Sequence, residues 1–158
     1  MGADAAVVVP VGSWGDYTRI GIGGLAKVSW APWAGTRWTV RSGYISHLTN
    51  EYSDDFTVSS AEIPVFVGWQ EVFAHGFYAA VEFGPVIIHE KFTRTAGGVE
   101  KFNDSQTVVR AGGTFGVGIT GVGDFVDLGV CVFSPMAYHP DFSSAFGIML
   151  SLGIMTEF

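Results

Sequence analysis

The stretch Ser143–Phe158, SSAFGIMLSLGIMTEF, decides how the rest of the chain is read. Every second residue, Phe146, Ile148, Leu150, Leu152 and Ile154, is large and apolar. The interleaved residues, Ala145, Gly147, Met149, Ser151, Gly153 and Met155, are mostly small or flexible. A period of two is that of a β-strand, whose successive side chains point to opposite faces. A segment with one apolar face and one small face, ending on the aromatic Phe158, has the length a tilted strand needs to cross a bilayer.

Seven further extended segments precede it. They cover about 5–11, 17–30, 36–48, 56–70, 76–91, 105–120 and 125–134. The sixth has the clearest alternation: Val109, Ala111, Gly113, Phe115, Val117 and Ile119 share one face, and Arg110, Gly112, Thr114, Gly116, Gly118 and Thr120 the other. Pro64 interrupts the fourth segment and predicts a bulge, because proline cannot donate to a ladder. The connections alternate. Residues 31–35, 71–75 and 121–124 make short turns. Residues 12–16, 49–55, 92–104 and 135–141 make mostly longer, polar loops. This predicts a single domain over 1–158: an eight-stranded antiparallel up-and-down transmembrane β-barrel with both termini on the short-turn side.

Bulk composition fits two readings, a soluble sandwich or barrel with an unusually rich core and a barrel whose apolar side chains face outward. Only 15% of the 158 residues are charged, against about 25% in soluble domains, and 22 are glycine. Mean hydropathy is positive, yet no run reaches the ~20 apolar residues of a spanning helix. A net charge of −7 leaves no basic surface for nucleic acid. The one cysteine, Cys131, excludes a disulfide framework and a cysteine metal site. Met1-Gly2-Ala3-Asp4 shows no basic stretch followed by an apolar one, so an exported protein is expected here without its signal peptide.

The face opposite the apolar one carries Arg19, Lys27, Arg37, Arg41, Glu62, Glu82, Arg110 and Asp127 among glycine, serine and threonine. A water-exposed face would be rich in lysine and glutamate, whereas small residues with a few mixed charges suit a narrow lumen. Buried charges must pair, so these eight are read as an ion network inside the barrel. Arg41 with Glu62 and Glu82 with Arg110 are the expected pairs. The aromatic residues sit near strand ends. Trp30, Trp33, Trp38, Trp69 and Phe77 fall beside the short turns, and Trp14, Tyr17 and Tyr44 beside the loops. With Phe158 they predict two interfacial belts.

The chain resembles the small eight-stranded bacterial outer-membrane barrels of the OmpA, OmpX and OmpW type. Ser151–Phe158 is similar to the terminal targeting signal of such proteins, with Thr156 where a hydrophobic residue is usual. Val9–Tyr17 followed by Gly21-Ile22-Gly23-Gly24 resembles their first loop and second strand. The resemblance implies an outer-membrane location with periplasmic termini, and partners that include membrane lipids, lipopolysaccharide and, during insertion, the barrel assembly machinery. Other envelope proteins are further candidate partners.

Catalysis finds little support. His47, His75, His89 and His139 lack the His-x-Ser spacing of outer-membrane deacylases, and Ser46 and His47 point to opposite strand faces. No acidic spacing matches a metal loop, so neither metal nor cofactor is expected. Eight of the fifteen acidic residues fall on the loop side, where divalent ions would bridge them to lipid phosphates. Lys91, Arg94 and Lys101, in the longest loop, are candidate direct phosphate contacts. The reading is a non-enzymatic structural anchor, surface-loop binder or envelope-complex subunit. The alternatives are a channel for small hydrophobic compounds, with Pro64 and Pro85 marking a lateral gap, then a lipid A-modifying enzyme, then a soluble lipocalin-like barrel.

Overall fold

The computed structural model describes residues 1–53, 56–96, 99–121, 126–134 and 146–155. For Ser13, Tyr17, Tyr52, Ser53, Ala96, Val99, Glu100, Lys101 and Met155 it describes the backbone alone. Nine strands form one sheet: β1 (Gly2–Val11), β2 (Gly21–Trp33), β3 (Thr36–His47), β4 (Asn50–Ser53), β5 (Phe56–Val72), β6 (Phe77–Ala96), β7 (Val99–Gly121), β8 (Val126–Ser134) and β9 (Phe146–Met155). All pairings are antiparallel. β1 pairs with β9 and β3 with β5, so eight strands close into a ring, and short β4 adds to β5 beyond the rim. A short helix α1 (Ser13–Tyr17) lies between β1 and β2.

The outward positions are those of the apolar alternation. Val7, Ile22, Val28, Val65, Val67, Val81, Phe83, Phe115, Val117, Leu128, Val130, Ile148, Leu150 and Leu152 are all exposed, and among the described residues no outward one between the turns and the loop rim carries a charge. An apolar wall of this extent cannot face water. It suits acyl chains, and the closed ring leaves no strand edge unpaired within them.

Two expectations are corrected. The ladders beside Pro64 keep one register, from Phe56–Arg94 to Val72–Tyr78 against β6 and from Thr36–Glu71 to Ser46–Ala61 against β3. There is no bulge there, only two consecutive pairs omitted from each ladder. Residues 92–104 are not wholly loop. β6 and β7 pair out to Ala96–Val99, giving strands of 20 and 23 residues. Crossing a bilayer takes about 9–11 residues per strand, so roughly half of this hairpin projects past the barrel. At the other end Ala34-Gly35 closes the β2–β3 hairpin between paired Trp33 and Thr36. Gly35 sits at φ 86, where a side chain is disfavoured, and its carbonyl accepts from Val72 N at 2.6 Å.

Candidate functional site

Inside the ring four strands share one plan: at the end of the short turns their inward residues are polar, and toward the loops they become apolar, whereas β5 and β7 keep inward Glu62 and Arg110 in the loop half. On β1 the order is Asp4, Ala6, Val8; on β3, Thr39, Arg41, Gly43, Ile45; on β6, Tyr78, Glu82, Val86, Ile88; on β8, Asp127, Gly129, Cys131, Phe133.

The turn half is held by charged hydrogen bonds. Lys27 Nζ meets Asp127 Oδ2 at 3.0 Å, and Tyr78 OH donates to Asp127 Oδ1 at 2.6 Å. Lys27 also lies 5.4 Å from the Tyr78 ring centre. Gly118 permits this arrangement, because a Cβ there would collide with the Tyr78 ring tip. A second knot centres on Glu82. Its carboxylate takes Arg41 Nη2, Thr39 Oγ1 at 3.0 Å and Thr114 Oγ1 at 3.1 Å. Asp4, 5% exposed, completes this half. A cavity of about 20 Å³ between Lys27, Arg41, Tyr78 and Glu82 has room for one water molecule.

The loop half is an apolar plug of Val8, Leu25, Ile45, Phe66, Val86, Phe133 and Met149, sealed by Trp14 from α1. The Trp14 ring lies 5.6 Å from that of His47 and 6.0 Å from that of Phe133. One polar pair is embedded in the rim. His47 Nδ1 donates to the Arg19 carbonyl at 2.8 Å, and its Nε2 stands 3.5 Å from Glu62 Oε1. A tube open to solvent would have wet walls; Val8, Thr39, Ile45, Gln70 and Phe133 are 0% exposed.

Of the eight charges placed in the lumen from sequence, Lys27, Arg41, Glu62, Glu82 and Asp127 are buried there. Arg37 and Arg110 are half-buried on inward positions at opposite ends. Arg19 is not in the lumen. It is exposed between α1 and β2, and its Nε donates to Asn50 Oδ1 at 3.2 Å. The pairing also differs. Arg41 joins Glu82 rather than Glu62, Glu62 faces His47, and Glu82 lies opposite Thr114, not Arg110. Arg41 has Lys27 and Phe66 beside it in the ladders, so its guanidinium reaches past β5 to β6 for a partner. Sequence reasoning missed Asp4 and Gln70, and weighed His47 only as a catalytic candidate. Asp4 extends the inward alternation of Ala6 and Val8, which would have placed it.

The belts are also revised. Trp30, Trp33, Trp38, Tyr44, Trp69 and Phe77 are exposed on the outside. Trp30, Trp38 and Trp69 form a lateral row on β2, β3 and β5, with the last two rings stacked at 6.2 Å. Trp14 does not belong to a belt; it is buried in the mouth. Phe158 and the side chain of Tyr17 lie outside the described residues. Lys91 and Arg94 are exposed on β6 rather than in a loop, and the Lys101 side chain is not described. Among the described residues no cluster of ligating side chains could hold a metal ion.

No family model matches the chain, and no curated protein sequence does. Solved structures do. The chain is similar to Ail, the attachment invasion locus protein of Yersinia pestis, with a TM-score of 0.67 at 10% identity, covering 97% of this chain and 93% of that one. It is similar to the N-terminal β-barrel domain of Pseudomonas aeruginosa OprF (TM-score 0.56, 9% identity, 97% and 96% covered). Neisserial surface protein A also matches (TM-score 0.51, 16% identity, 97% and 92% covered). The shared property is the fold, that of the small eight-stranded outer-membrane barrels.

Proposed function

We propose that this protein is an integral outer-membrane barrel that catalyses nothing and conducts nothing, and that it presents the projecting β6–β7 hairpin as a binding surface. The observation that carries this reading is the exposure of consecutive hairpin residues. Phe102, Asn103, Asp104, Ser105, Gln106 and Thr107 are all exposed, so both faces of the strand are free. The arm holds itself together through cross-strand pairs: Gln106 Nε2 donates to Glu90 Oε2 at 2.6 Å, and His89 Nδ1 meets Thr107 Oγ1 at 2.9 Å. A rigid arm above a plugged barrel is a platform.

In this reading the loop end faces outward, the termini are periplasmic, and the barrel assembly machinery inserts the chain. Lys91 and Arg94 on the arm, with Lys101, take phosphate or sulfate groups of surface polysaccharide or lipopolysaccharide. Ail has been solved with the heparin analogue sucrose octasulfate, a polyanion of this kind. The test is retention of the folded protein on immobilised heparin and lipopolysaccharide. Replacing Lys91, Arg94 and Lys101 by glutamine should lower the eluting salt concentration; unchanged elution overturns the assignment of these residues. Liposomes carrying the protein should pass neither ions nor small sugars.

A second reading, passage of small hydrophobic compounds, draws on the apolar loop half of the lumen. It requires Trp14 to leave the mouth. Entry of a hydrophobic dye into the Trp14→Ala barrel but not the parent would favour it.

A further inference from the structure

At the turn end the outer wall carries one carboxylate among the described residues, Glu71 on β5. It stands in a set of lateral rows across β2, β3 and β5. Trp33, Thr36 and Glu71 make the row at the turn rim, Trp30, Trp38 and Trp69 the next, and Val28, Val40 and Val67 the third. Trp33 belongs to the first row because β2 carries an extra residue there. Three steps from Trp30 to Trp33 oppose two from Trp38 to Thr36, a bulge at Ala31-Pro32 that returns Trp33 to the outward face. Trp33 is 68% exposed, the most of the tryptophans.

Two donors hold Glu71, both on the same oxygen. Thr36 Oγ1 donates to Oε2 at 2.9 Å and Trp69 Nε1 donates to it at 3.2 Å. Oε1 has no donor among the described residues, and no cationic side chain among them pairs with Glu71. On the Gly35 side no side chain covers Oε1; a Cβ there would stand 3.8 Å from it. A carboxylate oxygen with an open flank, set among indole rings, suits a cation that can donate a hydrogen bond.

We propose that this rim site binds the ammonium headgroup of one glycerophospholipid of the phosphatidylethanolamine class, with an N–H donating to Glu71 Oε1 and an acyl chain lying along Val28, Val40 and Val67. In the membrane-barrel reading, on which this rests, lipopolysaccharide meets the loop end, so glycerophospholipid headgroups meet the turn end. The three rows follow the order of such a molecule, from charged headgroup through the interfacial zone that tryptophan favours to acyl chain. The carboxylate selects among lipids. A trimethylated headgroup has no N–H to donate, and an anionic headgroup is repelled. A lysine of a partner protein would also satisfy Glu71, but it would leave the tryptophan and valine rows bare.

The test uses the full chain folded in maltoside micelles. Phosphatidylethanolamine, phosphatidylcholine or phosphatidylglycerol of the same acyl chains, or ethanolamine alone, is added in turn. Native mass spectrometry counts what stays bound. One phosphatidylethanolamine should be retained per barrel in preference to the other three. Glu71→Gln keeps an acceptor for Thr36 and Trp69. It should weaken that retention about tenfold or more, the loss expected for a charge-assisted bond, and bring it level with phosphatidylcholine. Trp33→Leu should weaken it with the carboxylate intact. Heat-modifiable gel migration establishes that each variant is folded. Equal retention of the three lipids by the parent, unchanged retention by Glu71→Gln, binding of ethanolamine alone, or displacement of the lipid by a lysine-rich peptide would each overturn the proposal. A chain that stays soluble without detergent would overturn the membrane reading itself, a separate failure seen before any lipid is added.

Discussion

The turn half and the loop half of the lumen fill the same tube with opposite chemistry. In the turn half Glu82 collects Arg41, Thr39 and Thr114, and Asp127 collects Lys27 and Tyr78. In the loop half Phe66, Phe133, Ile45 and Met149 interlock with no polar partner between them. A buried ionic knot is specific and brittle: removing one member strands the others without water. An apolar plug is graded: its contribution follows the volume and area of what is removed. Apart from the His47–Glu62 pair at the rim, the barrel thus places its all-or-none contacts beside the tight turns, and its forgiving contacts beneath the loops.

The largest effect should come from Glu82→Ala, which leaves Arg41 buried and unpaired. The expected loss is about 3–5 kcal/mol of unfolding free energy in urea titrations of the micelle-folded protein. The double change Arg41→Met with Glu82→Leu should recover most of it, since a well-packed apolar pair of similar volume is often neutral. No recovery would mean that the turn half needs the charges themselves.

Next comes Met149→Ala in the plug, at about 2–4 kcal/mol from lost transfer energy and a residual cavity. The cavity should collapse or bind a small apolar probe rather than admit ions. Combined with Glu82→Ala, the two losses should add to within about 0.5 kcal/mol if the halves are independent. Strong coupling would join them into one core and break the distinction.

Tyr78→Phe should cost about 1.5–3 kcal/mol, the range for a hydrogen bond to a charged group. Asp127 would keep Lys27, so the change trims the knot without cutting it. A loss as large as that of Glu82→Ala would show that the two knots behave as one network.

Much of this fold was legible because a bilayer imposes one rule on every outward position. The rule and the two-residue strand period set Val109 to Ile119 outward and Arg110 to Thr120 inward before any contact was known. Inside, the rule is only that charges find partners, and strand order does not say which. Arg41 illustrates the limit: its ladder neighbours are Lys27 and Phe66, and its partner is two strands away. Trp14 was illegible for another reason. An aromatic residue beside a loop serves a belt or a plug equally well, and a helix of five residues folding over the mouth decides it. The outer part of the β6–β7 arm reads as loop because Thr93-Arg94-Thr95 and Asn103-Asp104 have no apolar alternation. A strand with both faces in water does not need one.

The smallest change separates the two chemistries most cleanly. Ile45→Val removes one methylene from a residue that is 0% exposed in the middle of the plug. If the loop half is close-packed, the loss should be about 0.5–1.5 kcal/mol. A conservative change at the corresponding place in the turn half, Thr39→Ser, keeps the hydroxyl that donates to Glu82 and also removes one carbon. Were both halves governed by packing, the two losses would match. If the turn half is governed by its hydrogen bonds, Thr39→Ser should cost less than Ile45→Val although both sites are equally dry. Measured side by side in the same micelles, a reversed order would mean that packing, not hydrogen bonding, governs the turn half.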